Sequence, residues 1–329
     1  TTLLACKEHG ISSVGFDALP VCVFASRVKT ENYDAEVLQE YKKNIFENKF
    51  KKPEKIKFPV FLKRFFSRHA IEDIAFFRNI IMNIEVEKIR NFFILALINA
   101  SMKVSYAWKD GAVLKVRKKP KPPLRKIFRY VCKKMIKNIK KSPINSESMV
   151  IVKQADAKNL PLEDNSISNI ITSPPYLNKI EYTRIYEIES LILSMFKKLK
   201  KPTKKQYIGG KDFDSSKVNS IPDYLSGLPL ESISYFKDME NVLKEMYRVC
   251  KKNANVFIIV GNGYFPKIKQ YNKGVHLSPI VESDIILSKI AERIGFMVKK
   301  IYLLNERSAL KDRTKKIGSL RESMLLLKK

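Results

Sequence analysis

The stretch Ile170-Ile171-Thr172-Ser173-Pro174-Pro175-Tyr176 constrains this chain more than any other. Ahead of it, Asn165-Ser166 reads as a turn, and Ile167, Ile170 and Ile171 form a short apolar run of the kind that builds buried parallel strands. The run meets two successive prolines. Each fixes φ and removes a backbone donor, so the strand cannot continue beyond Ser173. The carbonyls of Ser173 and Pro174 are left without ladder partners, and Tyr176 projects from a stiff turn. A rigid loop at the carboxyl end of a strand, carrying a hydroxyl, free carbonyls and a ring, is where open α/β sheets place ligand chemistry. A lone Pro-Pro is more often an ordinary strand-ending turn, so the flanking segments decide between the two readings.

The flanks read as alternating strands and helices. Thr1 to Gly10 is a helical turn closed by a glycine cap, and Ile11 to Asp17 is a short strand ending in an acid. An acid in that place binds ribose hydroxyls in nucleotide-binding α/β folds. A helix follows from Val21 to Val28. Met149 to Val152 resumes as a strand that leads into Asp156. Further on, Ser232 to Cys250 reads as a helix, and Asn255 to Val260 is a fully apolar strand entering Gly261-Asn262-Gly263-Tyr264. Val281 to Gly295 is a helix, and Phe296 to Tyr302 and Arg321 to Leu327 are the last strands. The order predicts an α/β fold with a doubly wound sheet. Between the halves, residues 30–148 are rich in Lys, Phe and Ile. Apolar positions at helical spacing, such as Ile74, Phe77 and Ile81, predict an inserted, mainly helical subdomain. Within it, Asp110-Gly111 separates two apolar runs (Val104-Tyr106-Trp108 and Val113-Leu114-Val116) and reads as either a hairpin or a loop.

Charge narrows the partner. The 329 residues hold 63 Lys and Arg against 33 Asp and Glu, a formal net charge of +30, which calls for a polyanion. Much of the excess is local: from Lys103 to Lys141 there are fifteen basic residues and one acid, Asp110. Lys115, Arg117, Lys118, Lys119 and Lys121 form a Pro-rich strip, and a basic helix, Leu124 to Lys140, follows. With Trp108, Phe128 and Tyr130 nearby, this strip suits a phosphate backbone and splayed bases. A merely solvated face would interleave Glu with Lys, and acids are scarce here. After the diproline, Asn178, Tyr182, Arg184 and Tyr186 precede an amphipathic helix running to Leu199.

Cys6, Cys22, Cys132 and Cys250 are widely spaced, and no C-x-x-C occurs. That predicts reduced thiols, a cytoplasmic location and no metal site. Phe92 to Ala100 is about half as long as the ~20 residues a membrane helix needs.

The Thr-Ser-Pro-Pro-Tyr stretch resembles the catalytic motif of the S-adenosylmethionine-dependent DNA amino-methyltransferases, whose loop reads [DNS]-P-P-[YF]. The Ser form is most similar to the cytosine-N4 branch. The chemistry accounts for the residue types: an exocyclic amine is a poor nucleophile because its lone pair is delocalised into the ring. In this family Ser173 and the Pro174 carbonyl would accept the two N–H bonds and favour a pyramidal nitrogen. Pro175 would keep the loop stiff, and Tyr176 would stack on a base taken out of the duplex. None of the four cysteines follows a proline, which argues against a cytosine-C5 mechanism. The resemblance implies a class I methyltransferase fold over residues 1–29 and 149–329, with S-adenosylmethionine held by Asp17 and Asp156 and flanked by Thr1, Thr2 and Phe16. Similar methyltransferases carry a comparable Tyr/Arg-rich loop after the motif, which implies a base-pocket or phosphate role for Tyr182 and Arg184 with the same weight as surface capping. It also implies that the family's first strand and Gly-rich loop, which run directly into Thr-Thr-Leu, would precede Thr1.

These readings agree in order along the chain. The expectation is a site-specific DNA methyltransferase acting on cytosine N4, with DNA and a restriction endonuclease as partners. The rivals are an adenine-N6, an RNA guanine-N2 or a protein glutamine methylase. From another class, the rival is a catalytically inactive nucleic-acid-binding fragment.

Overall fold

The computed structural model describes residues 1–54, 58–110, 113–144, 146–177, 182–200, 208, 223–225, 228–265, 280–311 and 315–329. The chain divides into two compact units, Thr1–Gln154 with Glu181–Lys201, and Ala155–Ile180 with Pro202–Lys329.

The first unit opens with α1 (Thr2–Glu8) and β1 (Ser13–Asp17), then α2 (Pro20–Thr30). β1 pairs in parallel with β4 (Val150–Gln154), with Asp17 opposite Gln154. A Cβ at Gly15 would lie 2.5 Å from the end of the Leu3 side chain on α1, so a larger residue there needs that side chain to shift. Five helices follow α2: α3 (Ala35–Glu47), α4 (Val60–Lys63), α5 (Arg68–Met82), α6 (Glu87–Val104) and α7 (Leu124–Lys141). Asp34 caps α3 by accepting from the Glu36 and Val37 amides, and Ser67 caps α5 through Ala70. The two runs that flank Asp110-Gly111 pair with each other, while Gly111 itself lies outside the described residues. β2 (Ala107–Asp110) and β3 (Val113–Val116) are antiparallel, with Trp108 opposite Lys115.

α6 carries the apolar run Phe92 to Ala100. Its residues Phe92 to Ile98 are buried in succession, so the helix is core on all sides. Among the described residues no helix is long and apolar enough to cross a membrane. The core of this unit is aromatic: Phe65, Phe77, Phe92, Phe93 and Phe128 are fully buried, each worth about 2 kcal/mol in transfer free energy. It is one continuous cluster that also takes in Val21, Phe24 and Val28 of α2 and Ile188 and Ile192 of α9 (Glu187–Ser194). The helical insert therefore shares its core with the flanking elements. Phe128, placed near nucleic acid by the sequence pattern, is fully buried among Phe46 and Phe77 and cannot meet a base. The helix expected to reach Leu199 stops at Ser194, and Tyr182 and Arg184 lie on a separate short helix, α8 (Tyr182–Ile185).

The second unit is a four-stranded sheet in the order β5 (Ile167–Thr172), β6 (Cys250–Gly261), β10 (Lys315–Lys328), β9 (Met297–Lys311). β5 and β6 are parallel; β10 is antiparallel to both of its neighbours. α10 (Leu230–Val249) and α11 (Ser283–Ile294) pack with it around Val256, Ile258, Val260, Leu325 and Leu327. Gly295 ends α11 in the left-handed region at φ 115°, a glycine position by conformation. A short pair, β7 (Gly263–Tyr264) and β8 (Ile280–Val281), closes the far end of β6. Both final strands are far longer than the apolar runs that announced them, because paired backbone carries polar residues such as Glu306 and Arg307 into the ladder.

Candidate active site

β5 ends at Thr172, one residue before the diproline, with Thr172 in register with Ile258 of β6. The two prolines thus mark the strand end as their missing donors require. β6 runs on to Gly261, so it flanks the Ser173–Tyr176 loop. Ser173 is exposed, Pro174 is buried, and Pro175 and Tyr176 are half-buried. The loop is tied at two points. The Tyr176 hydroxyl donates to Glu322 Oε1 on β10 at 2.5 Å, a charge-assisted bond that fixes the ring. The next residue, Leu177, is buried against Gly263, where a Cβ would lie 2.8 Å from its side chain. A glycine at 263 therefore lets the loop settle onto β7.

Asn262 follows β6 directly. Its amide donates to the Arg321 carbonyl at 2.9 Å, yet both polar atoms of its buried carboxamide lack a partner among the described residues. An orphaned buried amide is costly and marks a place where polar atoms await something. Buried Asp284, at the start of α11, accepts from Ser323 at 2.8 Å and from Arg321 at 3.2 Å. Pattern reading gave Glu322 no role, although Arg321-Glu322-Ser323 is a polar triplet directly before the apolar run Met324 to Leu327 of β10, which is a usable signal. Asn262 lay in a recognised loop without a role.

In the same unit, Asp156 begins a tight turn. Its Oδ1 accepts from the Lys158 amide at 2.9 Å, and Asp156 bridges to Asn159. Glu245 of α10 holds the turn by accepting from the Leu160 amide at 2.9 Å while Arg248 reaches the Leu160 and Leu162 carbonyls. Arg248 also holds the Glu245 carboxyl below its ordinary value.

Asp17, in the first unit, sits at the end of β1 and accepts from the Leu19 amide at 2.8 Å, a local turn leading into α2. The residue is open to solvent, but its carboxyl is crowded enough by the strand end that lost hydration raises its pKa, against the pull of that bond. Cys22 stands beside it; burial, then the Asp17 charge, pushes its thiol up to about 12, so it stays neutral. Thr1 occupies the N-cap position of α1 without a side-chain cap bond, Thr2 begins the helix, and Phe16 is half-buried next to Asp17. α8 packs beside β3, which brings Tyr182 and Arg184 to the hairpin that carries Lys115. Lys115, Arg117, Lys118, Lys119 and Lys121 are exposed. The structure thus groups the nucleic-acid candidates and Asp17 in the first unit, and Ser173 to Tyr176 with Asp156 in the second. Asn178 lies outside the described residues.

No family model matches the chain. It is 25% identical over 382 aligned residues to the type II methyltransferase M.BsoBI of Geobacillus stearothermophilus, spanning 93% of this chain and 73% of that protein. It is 28% identical over 169 residues to the type II methyltransferase M.AvaI of Nostoc sp., covering 41% of this chain and about a third, 32%, of that one. Among solved structures, a Thermus thermophilus protein named as a DNA modification methylase, complexed with S-adenosyl-L-methionine, superposes with a TM-score of 0.29. It shares 14% identity over 53% of each chain, a likeness too loose to add weight.

Proposed function

We propose that this chain is an S-adenosylmethionine-dependent DNA methyltransferase of the class I fold that modifies an exocyclic base amine, cytosine N4. The observation that carries the reading is the Ser173-Pro174-Pro175-Tyr176 loop. It stands at the carboxyl end of a parallel strand, with its hydroxyl exposed and its ring tied to Glu322. The similarity to M.BsoBI over 93% of this chain supports it.

The residues present fit the cofactor. Asp17 ends β1 in the first unit, and Asp156 lies just past β4 in the second; each is a carboxylate acceptor of the kind that holds ribose or adenine groups in nucleotide-binding sheets. S-adenosylmethionine, when bound, supplies an electrophilic methyl group. Thr1, Thr2 and Phe16 stand with Asp17 in the first unit as further candidate cofactor contacts. The chain's own part is positioning. The Ser173 hydroxyl and the Pro174 carbonyl accept the two amine N–H bonds and turn the nitrogen lone pair outward. Pro175 keeps the two acceptors at fixed separation, and Tyr176 stacks on the extruded base. The insert, residues 30–148, is a DNA-recognition subdomain, with Lys115, Arg117, Lys118, Lys119 and Lys121 on phosphates and Tyr182 and Arg184 beside them.

The test is nucleoside mass spectrometry on DNA and RNA from cells expressing this chain, alone and extended at its N-terminus by a strand and Gly-rich loop. N4-methylcytosine in DNA, abolished by Ser173→Ala, is the expected result. N6-methyladenine would keep the loop chemistry and overturn the base. No new mark in either polymer from either form would overturn the enzyme reading.

A further inference from the structure

The β2–β3 hairpin has two unlike faces. On one, Ala107 and Leu114 pack against the aromatic core of their unit, and Lys109 pairs with Glu189 at 2.6 Å. Residues directly opposite in an antiparallel pair share a face, so Trp108 and Lys115 stand together on the other side. Arg117, two residues on, shares that face, and its guanidinium lies 4.4 Å from the Trp108 ring centroid. Trp108 is nonetheless 47% exposed. A tryptophan covered by an arginine and left half open is an aromatic surface whose burial is incomplete, since the part of a large ring left in water forgoes its transfer free energy. The run Lys118-Lys119-Pro120-Lys121, which follows directly, is exposed.

We infer that the outward face of this hairpin is a base-stacking platform. Trp108 takes the face of an unpaired base, Arg117 and Lys115 frame the ring, and Lys118, Lys119 and Lys121 hold the adjoining phosphates. The inference rests on the nucleic-acid reading given above and extends it, because phosphate contacts alone require no exposed ring. Stacking between an aromatic ring and a nucleobase tolerates any sequence, since every base has a π-face, and it requires that the base be out of its duplex stack. Charge complementarity identifies the occupant: fifteen basic residues against one acid between Lys103 and Lys141 fit a phosphate chain.

Trp108 is the sole tryptophan of the chain, so intrinsic fluorescence reports on this face alone. The experiment titrates the protein with a fully paired duplex, the same duplex carrying one unpaired base, and a single strand. End-labelled oligonucleotides give binding by anisotropy in parallel. The expected result is saturable quenching by the single strand and the bulged duplex, and little by the paired duplex. Trp108→Ala is expected to weaken binding to the bulged duplex roughly tenfold, with paired-duplex affinity nearly unchanged and Trp108→Phe retaining most of it. Its fold is checked by circular dichroism. Equal quenching by paired and bulged duplexes would overturn stacking and place the hairpin against the backbone. Binding by anisotropy without any change in fluorescence would overturn the platform and leave the basic strip standing. Absence of binding to all three oligonucleotides would overturn the nucleic-acid reading itself. Quenching by vesicles of anionic phospholipid but by no oligonucleotide would assign the face to a membrane surface and overturn the inference as well.

Discussion

At the scale of single residues, two small contacts hold the Ser173–Tyr176 loop in place. Tyr176→Phe removes one charge-assisted hydrogen bond to Glu322. The expected loss is about 1–2 kcal/mol in stability, with turnover falling about tenfold because the ring is no longer fixed; urea unfolding and a methylation assay read the two. Gly263→Ala inserts a Cβ 2.8 Å from Leu177 and 3.2 Å from Phe265. Leu177 is buried and has little room to move, so the expected cost is about 1–3 kcal/mol and the loop shifts with it. A Gly263→Ala variant with unchanged stability and turnover would refute the close approach. The loop's residue types were legible in the sequence because their chemistry is local: a proline removes a donor wherever it stands. Glu322 was not, since 146 residues separate it from Tyr176 and no spacing rule links them.

At the scale of elements, α10 is pinned to the turn after Asp156 through Glu245 and Arg248. The Glu245 carboxyl titrates below its ordinary 4.5, first through the Arg248 bond. A depressed carboxylate pKa adds stability above its unfolded value, and that contribution is lost as the pH falls through the folded value. Glu245→Gln is therefore expected to cost about 1 kcal/mol at neutral pH. The gap to the wild type should close below pH 4.5, which denaturant melts across pH would show. Helices and strands were legible where an apolar period and a stop signal coincide, as at the α7 start after Pro122-Pro123 and the α11 end at Gly295. They were misjudged where pairing or packing sets the limit. β9 and β10 extend through polar residues because each ladders on the other, and α9 stops at Ser194 although the amphipathic pattern runs on.

At the scale of the molecule, a net charge of +30 makes association with a polyanion strongly salt dependent. If the exposed strip after β3 and the α7 face together neutralise about six phosphates, DNA affinity should fall by roughly 10³-fold between ~50 and ~200 mM salt. A flat salt response measured by anisotropy would remove the strip from the interface. By itself the sequence determined where β5 had to stop, that the halves alternate strand and helix, and that residues 103–141 favour a polyanion. Each of these follows from chemistry carried by a residue and its immediate neighbours. Only the tertiary structure decided that Phe128 is core while Trp108 faces outward. It alone joined the helical insert to α2 and α9 in one cluster and placed Glu322 against Tyr176. Those outcomes depend on which distant surfaces exclude water from one another, and burial of that kind is settled by packing.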